Sequence, residues 1–336
     1  MPPPRDAAIH CHRHPNRIAD RISVTMSRRL MFVLVALVVA ATTVAACSPL
    51  TLLSAATPSG DLREDLDLAY GNDARHRLDV VAPGGSRASH PVVVFFYGGA
   101  WQGGERAQYR FAARALAERG IVAVVPDYRV YPAARFPDFL HDCAAAVRWA
   151  RDNAARHGGD PNRLFVMGHS AGAYNAAMLA LDGRWLREAG LDPKRDLAGW
   201  IGLSGPYDFL PIVDPVVQTV FGPRDTWPAT QPIAYVSAGA PRALLITGNA
   251  DTRVRPGNSV RLADALQKVG VPVRLITYPE IGHARTLVAL SPWLRWDLPV
   301  LEAVTAFVGE RRASASARTE ASVLAVGGTF SPRGSP

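Results

Sequence analysis

Cysteine is scarce in this 336-residue chain: Cys11, Cys47 and Cys143 are too few for a disulfide framework. No internal repeat occurs, which excludes a solenoid or propeller array. No run of five or more Lys/Arg and no basic stripe with interleaved aromatics occurs, so nucleic-acid binding has no support. The formal net charge of +8 does not alter this. Six arginines against two aspartates fall in residues 1–46, and the remainder holds 31 basic and 27 acidic residues. What is left is an ordinary globular composition, 48% hydrophobic and 20% charged, long enough for one large domain or two small ones.

Residues 26–46 follow the plan of a secretory signal peptide: Met26-Ser-Arg-Arg, an apolar run from Leu30 to Ala41, and small residues before Cys47. Val44-Ala45-Ala46-Cys47 resembles the lipobox of bacterial lipoproteins. That resemblance implies a lipidated Cys47, anchored to a membrane of the bacterial cell envelope and facing the periplasm or exterior. An uncleaved anchor helix over 30–46 is the alternative. Met26 supplies the signal's own start, so residues 1–25 read as an upstream extension that is not translated. His10, Cys11, His12 and His14 are too crowded for a closed tetrahedral site, and no metal or other cofactor is expected. Residues 47–60 read as a tether, and residues 313–336, dominated by Ala, Ser, Gly and Pro, as a disordered tail.

From 61 to 312 the chain alternates strands and helices. Two strands, near 64–70 and 75–81, with a Gly71-Asn72-Asp73 turn, predict an antiparallel sheet edge. The run 91–97 has no polar alternation, as in a strand buried on both faces, 121–125 reads as another buried strand, 163–169 as an apolar strand, and 197–204, 243–247 and 271–278 as further strands. Helical patterns lie between them, so the fold class is α/β, a mostly parallel sheet with helices on both faces. Residues 206–242, rich in proline, interrupt the alternation and read as a small cap-like insertion.

The strand 163–169 runs into Gly168-His169-Ser170-Ala171-Gly172 and then a small-residue helix, the pattern of a nucleophile elbow. Serine needs a base, and the base an orienting acid. The strand 243–247 leads to Asp251 and the strand 271–278 to His283, both in loops after strand ends, where a parallel sheet collects its site residues. The expected catalytic set is therefore Ser170, Asp251 and His283, with Asp208 and Glu280 as alternative acids. His141, His157 and His169 are competing histidines; the first two belong to a helix expected to run away from the site, and His169 is expected to line the turn. The glycine loop Tyr97-Gly98-Gly99-Ala100-Trp101 follows a central strand, and Gly99, Ala100 and Ala171 are assigned to an oxyanion hole. Trp101, Phe209, Phe221 and Trp227 are candidate pocket walls, or plain packing. Arg253 and Arg285 flank the acid and the base and raise the expectation of a carboxylate-bearing substrate.

Residues 61–312 resemble the α/β-hydrolases of the carboxylesterase group that includes hormone-sensitive-lipase-like and kynurenine-formamidase-like enzymes. The resemblance rests on Gly98 to Trp101, Asp127-Tyr128-Arg129, Gly168 to Gly172, Asp251 and Gly282-His283. It implies a serine esterase acting on small or aromatic esters through an acyl-enzyme. Aryl-formamidase or amidase chemistry, such as N-formylkynurenine hydrolysis, and a non-catalytic surface-anchored binding protein are the alternatives. The chain departs from the group at Tyr97, where His is frequent, and at Ala100, where some branches have a third Gly. Asp127 to Arg129 are expected to brace the glycine loop.

Overall fold

Eight strands form, with valine and phenylalanine concentrated in the central β3 and β4: β1 (Arg63–Ala69), β2 (Arg77–Ala82), β3 (His90–Phe96), β4 (Val122–Pro126), β5 (Gly159–His169), β6 (Gly199–Leu203), β7 (Ala243–Gly248) and β8 (Val273–Tyr278). The computed structural model of the chain describes residues 48–85 and 89–310. The extension 1–25, the signal 26–46, Cys47 and the tail 313–336 lie outside the described residues. The strands make one sheet in the order β1-β2-β4-β3-β5-β6-β7-β8. Only β2 runs against its neighbours, β1 and β4, and every other pairing is parallel.

Strands β4, β6 and β7 are buried along their whole length, and β3 and β5 along the apolar stretches that lead to their carboxyl ends, which requires cover on both faces of the sheet. The helices are α1 (Pro49–Ala56), α2 (Arg110–Glu118), α3 (Asp138–Asn153), α4 (Ala171–Leu181), α5 (Pro215–Phe221), α6 (Gly257–Lys268) and α7 (Val300–Gly309), with shorter turns between; α2, α3, α4, α6 and α7 pack on the sheet, α1 packs on α2, and α5 lies in the insertion. On α3, Phe139, Leu140, Cys143, Val147 and Ala150 are all buried, the stripe that the helical spacing predicts. Helix α4 is buried on every side, so its small residues let it press against the sheet. This is the α/β-hydrolase fold.

The stretch 47–60 is not simply a tether, because it contains α1. Ser48 Oγ caps the helix by accepting the Leu50 N–H at 3.3 Å, and Pro49 occupies its first turn. Ser54 is buried; its Oγ donates to the Gln108 carbonyl at 2.8 Å and accepts the Phe111 N–H at 3.2 Å. Arg114 Nη1 donates to the carbonyls of Ser54 and Thr57, at 2.8 and 2.6 Å. Leu50 and Leu53 add apolar contact with the core. The segment is thus locked into the domain by hydrogen bonds that α2 can make only if α1 is docked. None of the described helices is long and apolar enough to cross a membrane.

The cap-like insertion holds α5 and two 3-10 turns, Arg224–Thr230 and Pro232–Tyr235. It is fixed to the domain by the Tyr174 hydroxyl, which donates to the Thr230 carbonyl at 2.7 Å, and by the Phe136 N–H on the Val220 carbonyl at 2.9 Å.

Candidate active site

Between the end of β5 and the start of α4 stands Ser170 alone, at φ 56° and ψ −123°. Such a backbone costs a non-glycine residue about 1–3 kcal/mol and persists only where the surroundings enforce it. Here they do. A Cβ on Gly168 would lie 2.1 Å from the Gly172 carbonyl oxygen, and one on Gly172 would lie 2.0 Å from that of Phe96. Strand pairing sets Phe96 opposite Gly168, so two residues further on Gly98 comes beside Ser170. A Cβ at Gly98 would stand 3.0 Å from Ser170 Cβ.

From the other side, the loops after β7 and β8 are stitched together. The Asn249 N–H donates to the Tyr278 carbonyl at 2.9 Å and the Ala250 N–H to the Ile281 carbonyl at 3.1 Å. A Cβ on Gly248 would lie 2.0 Å from that same Ile281 oxygen. The result delivers Asp251 and His283 to Ser170: His283 Nδ1 is 2.7 Å from Asp251 Oδ2, and His283 Nε2 is 2.9 Å from Ser170 Oγ. Asp251 is buried, and its Oδ1 accepts the amides of Arg253 and Val254 at 3.0 and 2.8 Å. Burial pushes its pKa up, but the His283 hydrogen bond and the two amides outweigh burial and hold it below the ordinary value. An ionised Asp251 only accepts, so the proton of neutral His283 sits on Nδ1 and Nε2 is left to accept the Ser170 hydroxyl proton.

Neither alternative acid is the one on His283 Nδ1, which Asp251 holds. Arg261 holds the Asp208 carboxylate, and exposed Glu280 is fixed by its own N–H on Asn249 Oδ1. His141 pairs with Glu188 at 3.2 Å and His157 with Asp65 at 2.8 Å, neither in contact with the triad. His169 does touch the triad: its Nε2 is 3.1 Å from the His283 carbonyl oxygen. Only tertiary packing brings that pair together, so sequence pattern carries no signal for it. Arg285, expected to face a substrate carboxylate, is turned away and bonded to the Leu294 carbonyl and Asp297. Arg253 is exposed beside Asp251.

The glycine loop is left-handed through three successive residues: Gly99 at φ 134°, Ala100 at 52° and Trp101 at 58°. At Gly99 a Cβ would lie 2.2 Å from the Gly103 carbonyl oxygen, so glycine is required. Ala100 takes a conformation that the third glycine of other branches would adopt without strain. The Ala171 amide, first in α4, has no intrahelical acceptor. Behind the loop, the Tyr97 hydroxyl donates to Asp127 Oδ1 at 2.9 Å and accepts from Arg75 at 2.8 Å, and the Tyr128 hydroxyl donates to the Tyr97 carbonyl at 2.8 Å. Asp127 also receives the Arg106 amide and guanidinium. Asp127 and Tyr128 therefore brace the loop, while Arg129 is bonded to Asp142 on α3.

Of the candidate pocket walls, Trp101 meets Phe221 at 4.8 Å between ring centroids and Phe209 at 6.4 Å, with Tyr174 edge-on at 5.1 Å. Trp101 and Phe221 are buried and Phe209 is half-buried, so the cluster is packed core that opens at Phe209. Trp227 stands apart from these rings, its Nε1–H on the Gly222 carbonyl, beside a cavity of about 540 Å³ also lined by Pro211, Ile212 and Arg224.

The family model BD-FAE matches residues 78–266, over half of the chain. Isoprenylcysteine alpha-carbonyl methylesterase ICME of Arabidopsis thaliana is 29% identical over 241 residues, covering 64% of this chain and 55% of that protein. Esterase LipQ of Mycobacterium tuberculosis is 30% identical over 268 residues, covering 72% and 61%. The chain thus spans little more than half the length of these relatives. Among solved structures, a truncated carbohydrate esterase from gut microbiota superposes with a TM-score of 0.66 at 21% identity, over 75% of this chain and 98% of that one. The apo form of Thermogutta terrifontis esterase 2 gives 0.61 at 24% identity, over 76% and 98%. At these identities the structural likeness concerns the fold.

The lowered pKa of Asp251 has a sign that stability measurements read. An unfolded Asp titrates near about 4. The folded carboxyl binds its proton less tightly, so its contribution is present above that value and is lost as the pH falls through the lower folded-state value. Denaturant titrations of wild type and Asp251→Asn across the acid range should show a shallower pH slope in the variant. Equal slopes would mean that Asp251 is not held ionised by these bonds.

Proposed function

We propose, from the premise that this chain belongs to the BD-FAE family, that it is a carboxylic ester hydrolase with Ser170 as its nucleophile. The observation that carries the reading is the continuous chain from Ser170 Oγ through His283 to Asp251, with bonds of 2.9 and 2.7 Å. In the reaction His283 Nε2 takes the Ser170 proton as Oγ attacks the ester carbonyl carbon. The amides of Gly99, Ala100 and Ala171 are assigned to the oxyanion that forms, each donor worth about two to three orders of magnitude in rate. His283, now an imidazolium stabilised by Asp251, returns the proton to the departing alkoxide, leaving an acyl-serine and an alcohol. Water, deprotonated in turn by His283, attacks the acyl carbon; the bond to Ser170 Oγ breaks, Oγ takes the proton back from His283, and the carboxylic acid leaves.

The two sequence relatives named above are called a methylesterase and an esterase, and they support ester cleavage over amide cleavage or mere binding. For the acyl or alcohol side we assign Phe209, the open edge of the aromatic cluster, as an apolar wall suited to small or aromatic substrates. Nitrophenyl esters of increasing acyl length, with N-formylkynurenine alongside, test the reading. Wild type should prefer an ester, and Ser170→Ala should lose turnover by about four to six orders of magnitude. A higher specificity constant for the formamide would replace the ester reading, and an active Ser170→Ala would remove the serine mechanism.

We also propose that Cys47 is lipidated and holds the domain at a membrane. The support is the order of basic, apolar and small residues before Cys47. Feeding a bacterial host an alkyne fatty acid should label the wild type and not Cys47→Ser. A membrane-bound but unlabelled wild type would favour the uncleaved anchor helix instead.

A further inference from the structure

His169 ends β5 and is buried. Its Nε2 lies 3.1 Å from the backbone carbonyl oxygen of His283, and the two imidazole centroids are 4.8 Å apart. A carbonyl oxygen only accepts, so His169 Nε2 carries a hydrogen and donates it. The same carbonyl accepts the Thr286 hydroxyl at 3.2 Å, and Thr286 Oγ1 is 3.0 Å from Ser204 Oγ. Both of these side chains are fully buried. On its other edge His169 faces the glycine loop, where a Cβ on Gly98 would lie 3.2 Å from Nδ1. One ring is therefore wedged between the loop beside the nucleophile and the loop that delivers the base.

His283 needs such a hold. It stands five residues beyond the end of β8, and Asp251 touches only its ring. A hydrogen bond to the ring sets its rotation, but the position of Nε2 relative to Ser170 Oγ depends on the backbone that carries it. Misplacement by about 1 Å can cost about 100-fold in rate. Burial, and next the neighbouring His283, pull the pKa of His169 down to about 3. The ring thus stays neutral and keeps a single N–H for the carbonyl while His283 gains and loses its proton.

We propose that His169 is a positioning residue, whose Nε2–H pins the His283 carbonyl and so fixes the His283 imidazole between Ser170 and Asp251. This rests on the Ser170 mechanism above. It assigns the side chain inside Gly168-His169-Ser170-Ala171-Gly172 a task separate from the turn itself.

The test compares His169→Phe, which keeps a ring without the donor, and His169→Gln, which keeps a donor, using nitrophenyl acetate and counting active sites by exhaustive titration with an organophosphonate. Per titrated site, His169→Phe should lose about 10- to 100-fold in kcat, with KM within about threefold of wild type. The rate of phosphonylation should fall in parallel, and His169→Gln should recover most of both losses. If kcat per titrated site in His169→Phe stays within about twofold of wild type, with only site count or thermal stability reduced, His169 merely fills the core and the proposal is overturned. A loss in His169→Gln as large as in His169→Phe overturns it too. Should His169→Phe fail to fold, the more adaptable His169→Met replaces it under the same criteria. The Ser170 control separates the two ideas: an active Ser170→Ala defeats the mechanism, whereas an inactive one with unchanged His169 variants defeats only the positioning role.

Discussion

Where the chain leaves β5 it folds back on itself and against the carboxyl end of β3, so closely that only glycine fits at two positions. A Cβ on Gly168 or Gly172 would stand 2.1 or 2.0 Å from a backbone oxygen, distances no side chain tolerates. This crowding forces the sharp turn that lifts Ser170 above the sheet, and it brings the glycine loop alongside. Three of the six described non-glycine residues with positive φ lie there. Ser170, Ala100 and Trp101 all hold positive φ without being glycine, at about 1–3 kcal/mol each. Buried Tyr97 and Asp127, with half-buried Arg75 and Arg106, oppose that strain by a hydrogen-bond network around the loop.

The other half of the site depends on a second close approach, between the loops after β7 and β8. Gly248 against the Ile281 carbonyl, together with two backbone hydrogen bonds, makes those loops move as one. Asp251 and His283 are thereby carried on one stitched pair of loops. Charged groups nearby are withdrawn from the reacting atoms: Arg285 to Asp297, Arg261 to Asp208 and Arg129 to Asp142.

Much of this was legible in sequence because the relevant patterns are local. An apolar strand, Gly-x-Ser-x-Gly and a small-residue helix define the elbow within about twenty residues, and strand-end loops after 243–247 and 271–278 place Asp251 and His283. What was not legible depends on distant contacts. His169 meets a carbonyl 114 residues away. Arg285 is two residues from His283, yet its guanidinium reaches Leu294 and Asp297. The helix α1 is a different case: Ser48, Pro49 and the Leu50/Leu53 spacing are start and face signals, but they were masked by a composition that reads as linker. The Trp101, Phe209 and Phe221 cluster shows why a list of aromatics does not define a pocket, since burial separates Phe209 from its neighbours.

The central claim is that one serine at the end of β5, activated by a histidine from the loop after β8, becomes covalently attached to the acyl group. Peptide mapping by mass spectrometry after reaction with an organophosphonate reads that bond directly. The account predicts one stoichiometric adduct, on Ser170, appearing as ester hydrolysis disappears. Loss of hydrolysis with the adduct on another residue, or hydrolysis that persists in protein fully modified at Ser170, would contradict it.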